Sequence, residues 1–168
     1  MSTKDFSSKQ EKKLANCLEW SVVSGSGAAA CHPGDIESDS WLGECKTHVT
    51  PGHSISFSKA VWEKIKNEAF SKCKAPVLFV DDGSQEPCNT WCMMPANRIT
   101  SNCVLHTLSV KAGKSITQSH LTLADSVKKY SEECPEKIHV LYTSWGSFSS
   151  ADGAVILRFE DFKLISEE

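Results

Sequence analysis

The sequence predicts an α/β domain in which a mixed central β-sheet is flanked by helices. Three observations predict it. Apolar residues recur at helical spacing over 8–20 and again after Ser58, and short apolar or alternating runs near 34–37, 41–48 and 76–80 have strand character. The two periods interleave in the order helix, hairpin, helix, strand, as layered α/β architectures require. At 168 residues and 40% hydrophobic, the chain can bury one core but is short for two. Residues 1–168 are therefore expected to form a single domain, with a core at 8–82 and a sheet extension at 83–168.

In the first helix Leu14, Ala15 and Leu18 make the apolar stripe, and Lys9, Lys12 and Lys13 take the wet side. Glu11 falls on the apolar side. A carboxylate there needs a partner; alternatively, Ser8-Lys9-Gln10-Glu11 is a capping box in which Glu11 closes the helix start. Ser24 to Ala30 is a loop of small residues whose glycines permit close approach to a phosphate and equally suit a plain linker. Ser58 is placed to cap a second helix running to about Lys72, with Val61, Trp62, Ile65, Ala69 and Phe70 inward. Pro76 to Val80 is a short apolar run typical of a buried strand.

A repeat follows. Ser54-Ile55-Ser56-Phe57-Ser58 recurs as Ser115-Ile116-Thr117-Gln118-Ser119, Cys73 falls on Cys134, and Val77 to Val80 falls on Ile138 to Leu141. Each copy then adds an apolar strand, Trp91 to Ile99 in one and Ala154 to Phe162 in the other. The expected unit is strand, helix, strand, strand, with the second copy extending the same sheet.

The net charge of −3 is not the basic footprint usual for nucleic-acid binding, but its distribution is uneven. Residues 1–74 carry ten lysines against nine acids, and residues 75–168 carry eight basic residues against twelve. If a metal neutralised some early acids, Lys9, Lys12, Lys13, Lys59, Lys64, Lys66, Lys72 and Lys74 would form a basic surface. No run approaches a membrane span and the first residues lack the apolar core of a signal peptide, so a soluble, cytoplasmic protein is expected. In that compartment the eight cysteines should be reduced thiols or metal ligands. Cys88, Cys92, Cys103 and His106 have spacings that could hold zinc, yet Trp91-Cys92-Met93-Met94 also suits a buried strand in which Cys92 is a small apolar residue.

Gly34-Asp35-Ile36 and Gly43-Glu44-Cys45-Lys46-Thr47 carry the chemistry. Residues alternate faces along a strand, so Glu44 and Lys46 share one face, and a turn before that strand can bring Asp35 beside them. Two carboxylates and an ammonium then converge in a segment that Trp41, Leu42, Gly43 and Cys45 make too apolar for free solvation. Hard oxygen ligands hold Mg²⁺, and a neighbouring lysine can orient or help deprotonate a metal-bound water. Asp39 is the nearer acid, but Glu37-Ser38-Asp39-Ser40 has the composition of a polar turn.

Taken in order, Gln10-Glu11-Lys12, Gly25-Ser26-Gly27, Gly34-Asp35 and Glu44-Cys45-Lys46-Thr47, followed by a Ser-initiated helix, resemble the restriction-endonuclease-like nucleases of the PD-(D/E)xK type. The similarity is greatest to archaeal-type Holliday junction resolvases and their phage-encoded relatives, and it covers residues 8–82. The resemblance implies a metal-dependent DNA endonuclease acting on branched DNA in recombination or phage DNA processing. Mg²⁺ would be its cofactor, with Mn²⁺ able to substitute, and a homodimer its working form. It implies metal binding by Asp35, Glu44, the Cys45 carbonyl and Glu11, a water-positioning role for Lys46, and Ser24 or Ser26 near the scissile phosphate. Lys64 and Lys66 would contact the DNA backbone. Gly34 stands where the family name has proline. A same-fold nicking or end-directed nuclease and a non-catalytic, zinc-organised nucleic-acid-binding module are the alternatives.

Overall fold

The computed structural model describes residues 3–24, 33–99, 103–107, 120–123, 138–143, 145 and 153–167. Among them are ten strands: β1 (Ser21–Val22), β2 (Ile36–Glu37), β3 (Trp41–Lys46), β4 (Ser56–Ser58), β5 (Ala75–Asp81), β6 (Thr90–Pro95), β7 (Cys103–Thr107), β8 (His120–Thr122), β9 (Ile138–Tyr142) and β10 (Ala154–Arg158). The helices are α1 (Thr3–Leu18), α2 (Lys59–Ser71) and α3 (Phe159–Ser166). Eight strands form one mixed sheet in the order β1-β2-β3-β5-β6-β10-β9-β7, and β4 pairs with β8 in a separate ribbon. The pairs β3–β5 and β7–β9 are parallel and the rest antiparallel.

Strand alternation splits the core in two. Trp41, Cys45, Val77, Phe79, Cys92, Met94, Val155 and Leu157 face α1 and α3, meeting Leu14, Ala15, Leu18, Phe159, Phe162 and Ile165. Leu42, Leu78, Val80, Met93, Leu141 and Ile156 face the other way, against Trp62, Ile65 and Ala69 of α2 and Phe57 and Leu121 of the ribbon. The sheet is thus covered on both faces, which is why β5 and β6 are apolar runs rather than alternating ones. Each face removes a continuous set of large side chains from water, and that burial is the main stabilising contribution.

The helix boundaries correct two expectations. α1 begins at Thr3, so Ser8 lies inside it and cannot serve as an N-cap; the capping-box reading of Glu11 fails. Ser58 does cap α2, its hydroxyl accepting from the Val61 amide at 3.5 Å. Trp62, Ile65 and Ala69 are buried, but Phe70 is 85% exposed, because it lies on the far side of the helix from that stripe. Both α1 and α2 end in Schellman motifs. Glu19 (φ 58°) and Cys73 (φ 56°) take the left-handed position, with Trp20 N donating to Ala15 O and Lys74 N to Ala69 O, both at 2.9 Å.

The sequence repeat falls partly on β5, β6, β9 and β10; residues 115–119 and 134 lie outside the described residues. Among the described residues, no helix is long and apolar enough to cross a membrane.

Candidate active site

The Gly34–Asp35 turn determines the geometry. Gly34 has φ +73°, and a Cβ there would lie 2.6 Å from Leu42 Cδ1. Proline, fixed near φ −65°, cannot take this conformation, so the glycine is a structural requirement of the turn. From the turn, Asp35 N donates to Gly43 O at 2.7 Å and the chain enters β2, where Ile36 stands opposite Gly43 and Glu37 opposite Leu42. Asp35 lies just before that paired stretch, and Glu44 is near enough for its charge to act on the Asp35 carboxyl.

The polar groups around the turn form a connected set. The Asp35 carboxylate accepts from the Cys45 amide at 2.8 Å. Glu44 is buried, and its Oε1 receives Lys46 Nζ at 2.6 Å and Lys64 Nζ, from α2, at 3.5 Å. Lys64 continues to Glu68 Oε1 at 3.6 Å, and Glu68 Oε2 accepts from the Gly34 amide at 3.2 Å, which returns the set to the turn. Burial, reinforced by the Glu44 charge, raises the Asp35 carboxyl above its ordinary value against the opposing pull of the Cys45 amide, Lys46 and Lys64. Burial pulls the Lys46 ammonium down, but Glu44, by charge and hydrogen bond, and then Asp35 outweigh it and hold Lys46 above its ordinary value. Lys46 is therefore a fixed cation at neutral pH, suited to orienting water or countering negative charge and unsuited to acting as a base.

Glu11, on α1, is buried and close enough to act on the Cys45 thiol, which burial and then the charges of Asp35, Glu11 and Glu44 raise well above the usual range. Glu11 thus acts on Cys45 from the α1 side of β3, whereas Asp35 and Glu44 act on each other. The donor set of that pair is all oxygen, the chemistry of a Mg²⁺ or Mn²⁺ site, and its crowding is what a divalent cation relieves. As the side chains stand, no group of three or more His, Cys, Asp or Glu among the described residues is arranged to hold a metal ion. Lys46 and Lys64 occupy the cationic place beside Glu44 instead.

A second set of bonds secures the end of β3 from the α1 side. Thr47 Oγ1 donates to Asp81 Oδ1 at 2.6 Å, and Gly83 N donates to the same oxygen at 2.9 Å. The Gln85 amide also serves Asp81, Gln85 Nε2 donates to the Phe6 carbonyl, and one turn later Gln10 Nε2 donates to Lys46 O at 3.2 Å. This closes a ring from β3 through β5 and α1 back to β3. Asp81 Oδ2 and Gln10 Oε1 are buried without a hydrogen-bond partner among the described residues, and burial raises the Asp81 carboxyl. The ring holds the backbone on either side of the Lys46–Thr47 peptide.

Asp35, Glu44, Lys46 and Lys64 therefore come together, and Glu11 approaches Cys45 from α1. Ser24 is exposed and Ser26 lies outside the described residues. Lys66 pairs with Glu63 at 3.3 Å, and its neighbours in the expected basic surface are also matched: Lys13 with Glu86, and Lys72 and Lys74 with Glu37. Asp39 is exposed in its turn, where Ser38 Oγ accepts from the Ser40 and Trp41 amides. The zinc arrangement does not assemble. Cys92 is buried on β6, Cys88 is exposed before it, and Cys103 and His106 lie on β7, from which β10 and β9 separate β6. Three strand spacings amount to roughly 14 Å, far beyond a shared ion.

Sequence reasoning missed Glu68, Asp81 and Gln10. Glu68 was signalled by its place four residues after Lys64. Asp81 was signalled by its position at the carboxyl end of a strand parallel to the one bearing Glu44 and Lys46, where α/β sheets place their ligands. The chain matches no family model, no curated protein and no solved structure.

Proposed function

We propose that the chain is a metal-dependent DNA endonuclease with a restriction-endonuclease-like core, acting on branched DNA of the Holliday-junction type. The observation that carries this reading is the nearness of the Asp35 and Glu44 carboxylates, with Asp35 held on the Cys45 amide and the Lys46 ammonium on Glu44. Carboxylates crowded in a half-buried place cost stability. A hydrolytic site gives them a use.

Asp35, Glu44, the Cys45 carbonyl and Glu11 are the groups that would hold Mg²⁺. Bound there, the ion would supply the electrophile that draws charge from the scissile phosphate and makes water acidic enough to attack. The protein's own part is positional. The Cys45 amide fixes Asp35, the Lys64–Glu68–Gly34 contacts fix the turn, and the Asp81 ring fixes the backbone beside Lys46. Lys46, held protonated, aligns the incoming water or a non-bridging phosphate oxygen and offsets the charge that grows there. An oxygen–phosphorus bond forms as the bond to the leaving sugar oxygen breaks; the attacking water gives up a proton to solvent and the leaving oxygen takes one from solvent. The family resemblance implies a 5′-phosphate product.

Residues 83–168 are proposed to repeat the preceding strand, helix, strand, strand unit without its chemistry, as scaffold for the DNA. The test is cleavage of matched four-way, nicked, single-stranded and duplex DNA with Mg²⁺ and with Mn²⁺. Metal-dependent cleavage, greatest on the four-way substrate, is expected; intact DNA in every case with both ions would overturn the proposal.

A further inference from the structure

We infer that Lys64 is a built-in counter-cation of the Asp35–Glu44 site and that Glu68 is its second seat, the pair together setting how tightly the site takes a divalent ion. This rests on the nuclease reading for the identity of the ion as Mg²⁺ or Mn²⁺, and it adds a control of that site by the chain's own side chains. The supporting observation is that two ammonium groups converge on one carboxylate oxygen: Glu44 Oε1 receives Lys46 Nζ at 2.6 Å and Lys64 Nζ at 3.5 Å. Lys46 comes from the same strand, two residues on, and makes a hydrogen bond. Lys64 reaches in from α2 on a half-exposed stem and stands almost equally far from Glu68 Oε1, at 3.6 Å. One ammonium is thus shared between two carboxylates.

The two seats differ in kind. Glu44 is buried in β3 and crowded by Asp35, so its charge needs a cation beside it. Glu68 lies one helical turn beyond Lys64 and is pinned through its other oxygen, Oε2, which accepts from the Gly34 amide at 3.2 Å. Lys64 can therefore pass wholly to Glu68 by a change in its flexible side chain alone, with α2 and the turn in place. A divalent ion taken up by Asp35 and Glu44 repels an ammonium left on Glu44, and the repulsion falls when that ammonium withdraws to Glu68. Lys64 lowers metal affinity by competing for Glu44. Glu68 restores part of it by giving the competitor another partner, and so acts through Lys64 as a positioning residue.

The experiment titrates the full chain with Mn²⁺ in the absence of DNA, following free Mn²⁺ by electron paramagnetic resonance, for the native chain, Lys64→Met, Glu68→Gln and the double variant. Lys64→Met keeps an unbranched stem and removes the charge; it should bind roughly 3- to 10-fold tighter, the range of one partly exposed ion pair set against a doubly charged ion. Glu68→Gln keeps an oxygen for the Gly34 amide and should bind more weakly, an effect that should largely vanish once Lys64 is replaced. Unchanged or weaker binding by Lys64→Met would overturn the counter-cation role, and equal weakening by Glu68→Gln in both backgrounds would overturn the second seat. This binding pattern beside four-way, nicked, single-stranded and duplex DNA all left intact would remove the nuclease reading and leave the inference standing. No Mn²⁺ bound by either the native chain or Lys64→Met would overturn the inference together with the metal site.

Discussion

Replacing Gly34 with alanine separates two costs that are usually confounded. Gly34 has φ +73°, and an alanine Cβ would sit 2.6 Å from Leu42 Cδ1, 2.8 Å from Leu42 Cγ and 3.2 Å from Gly43 O. A left-handed conformation costs an alanine roughly 1–2 kcal/mol. Overpacking a filled site adds about 1–3 kcal/mol, and Leu42, fully buried, cannot swing away freely. The expected loss is thus about 2–5 kcal/mol for Gly34→Ala. Gly52 supplies the control, because it has φ +89° and an added Cβ would meet nothing within 4 Å, so Gly52→Ala should show the conformational cost alone. Denaturant unfolding of both variants at constant m-value measures the difference. A Gly34→Ala variant no less stable than Gly52→Ala would show that the turn relaxes freely, and would remove the reason given for glycine before Asp35.

Three other outcomes are expected. Thr47→Val removes the hydroxyl that serves Asp81 Oδ1 in a buried place and should cost about 1–3 kcal/mol, whereas Asp81→Asn, which keeps the accepting oxygen and removes a charge that burial disfavours, should cost less; thermal unfolding ranks them. Glu37 is held below its ordinary value by hydrogen bonds from Lys74 and Lys72, so its contribution is complete above the unfolded value and is lost as pH falls through the lowered one. Glu37→Gln should therefore cost about 0.5–1 kcal/mol at pH 7 and progressively less in acid, as pH-dependent unfolding would reveal. Cys73→Gly relieves a left-handed residue on an exposed helix end, and chemical unfolding should find it more stable by up to about 1 kcal/mol.

The parts of this fold written locally were legible in the sequence. Ser58 followed by Trp62, Ile65 and Ala69 specifies a capped helix with one buried stripe, and Pro76 to Val80 specifies a two-sided buried strand. Phe70 misleads because an apolar residue adjoining the stripe is indistinguishable by composition from a member of it; only the rotation of α2 against β5 turns it outward. Asp35, Glu44 and Lys46 were legible together because period-2 alternation fixes the shared face of Glu44 and Lys46, and the turn before that strand returns Asp35 to it, where its carboxylate takes the Cys45 amide. Glu68 and Asp81 carried only partial signals, the spacing of Glu68 from Lys64 and the strand-end position of Asp81, because the crossover that brings each to its place is not recorded by periodicity. The same holds for Cys88, Cys92 and Cys103. Their spacing is compatible with zinc, and the insertion of β10 and β9 between β6 and β7 is a long-range event with no local signature.

The central claim is that Asp35, Glu44 and Lys46 act together on a phosphodiester. Single-turnover cleavage of a labelled four-way junction with Mg²⁺, comparing the native chain with Glu44→Gln and measuring DNA binding on the same preparations, tests it most directly. Glu44→Gln keeps the shape of the side chain and removes the charge that faces Asp35 and anchors Lys46. The rate should fall by at least ~10²-fold, the scale on which loss of a transition-state electrostatic contact is felt, with affinity for the junction nearly unchanged. A Glu44→Gln variant that cleaves at the native rate would contradict the account.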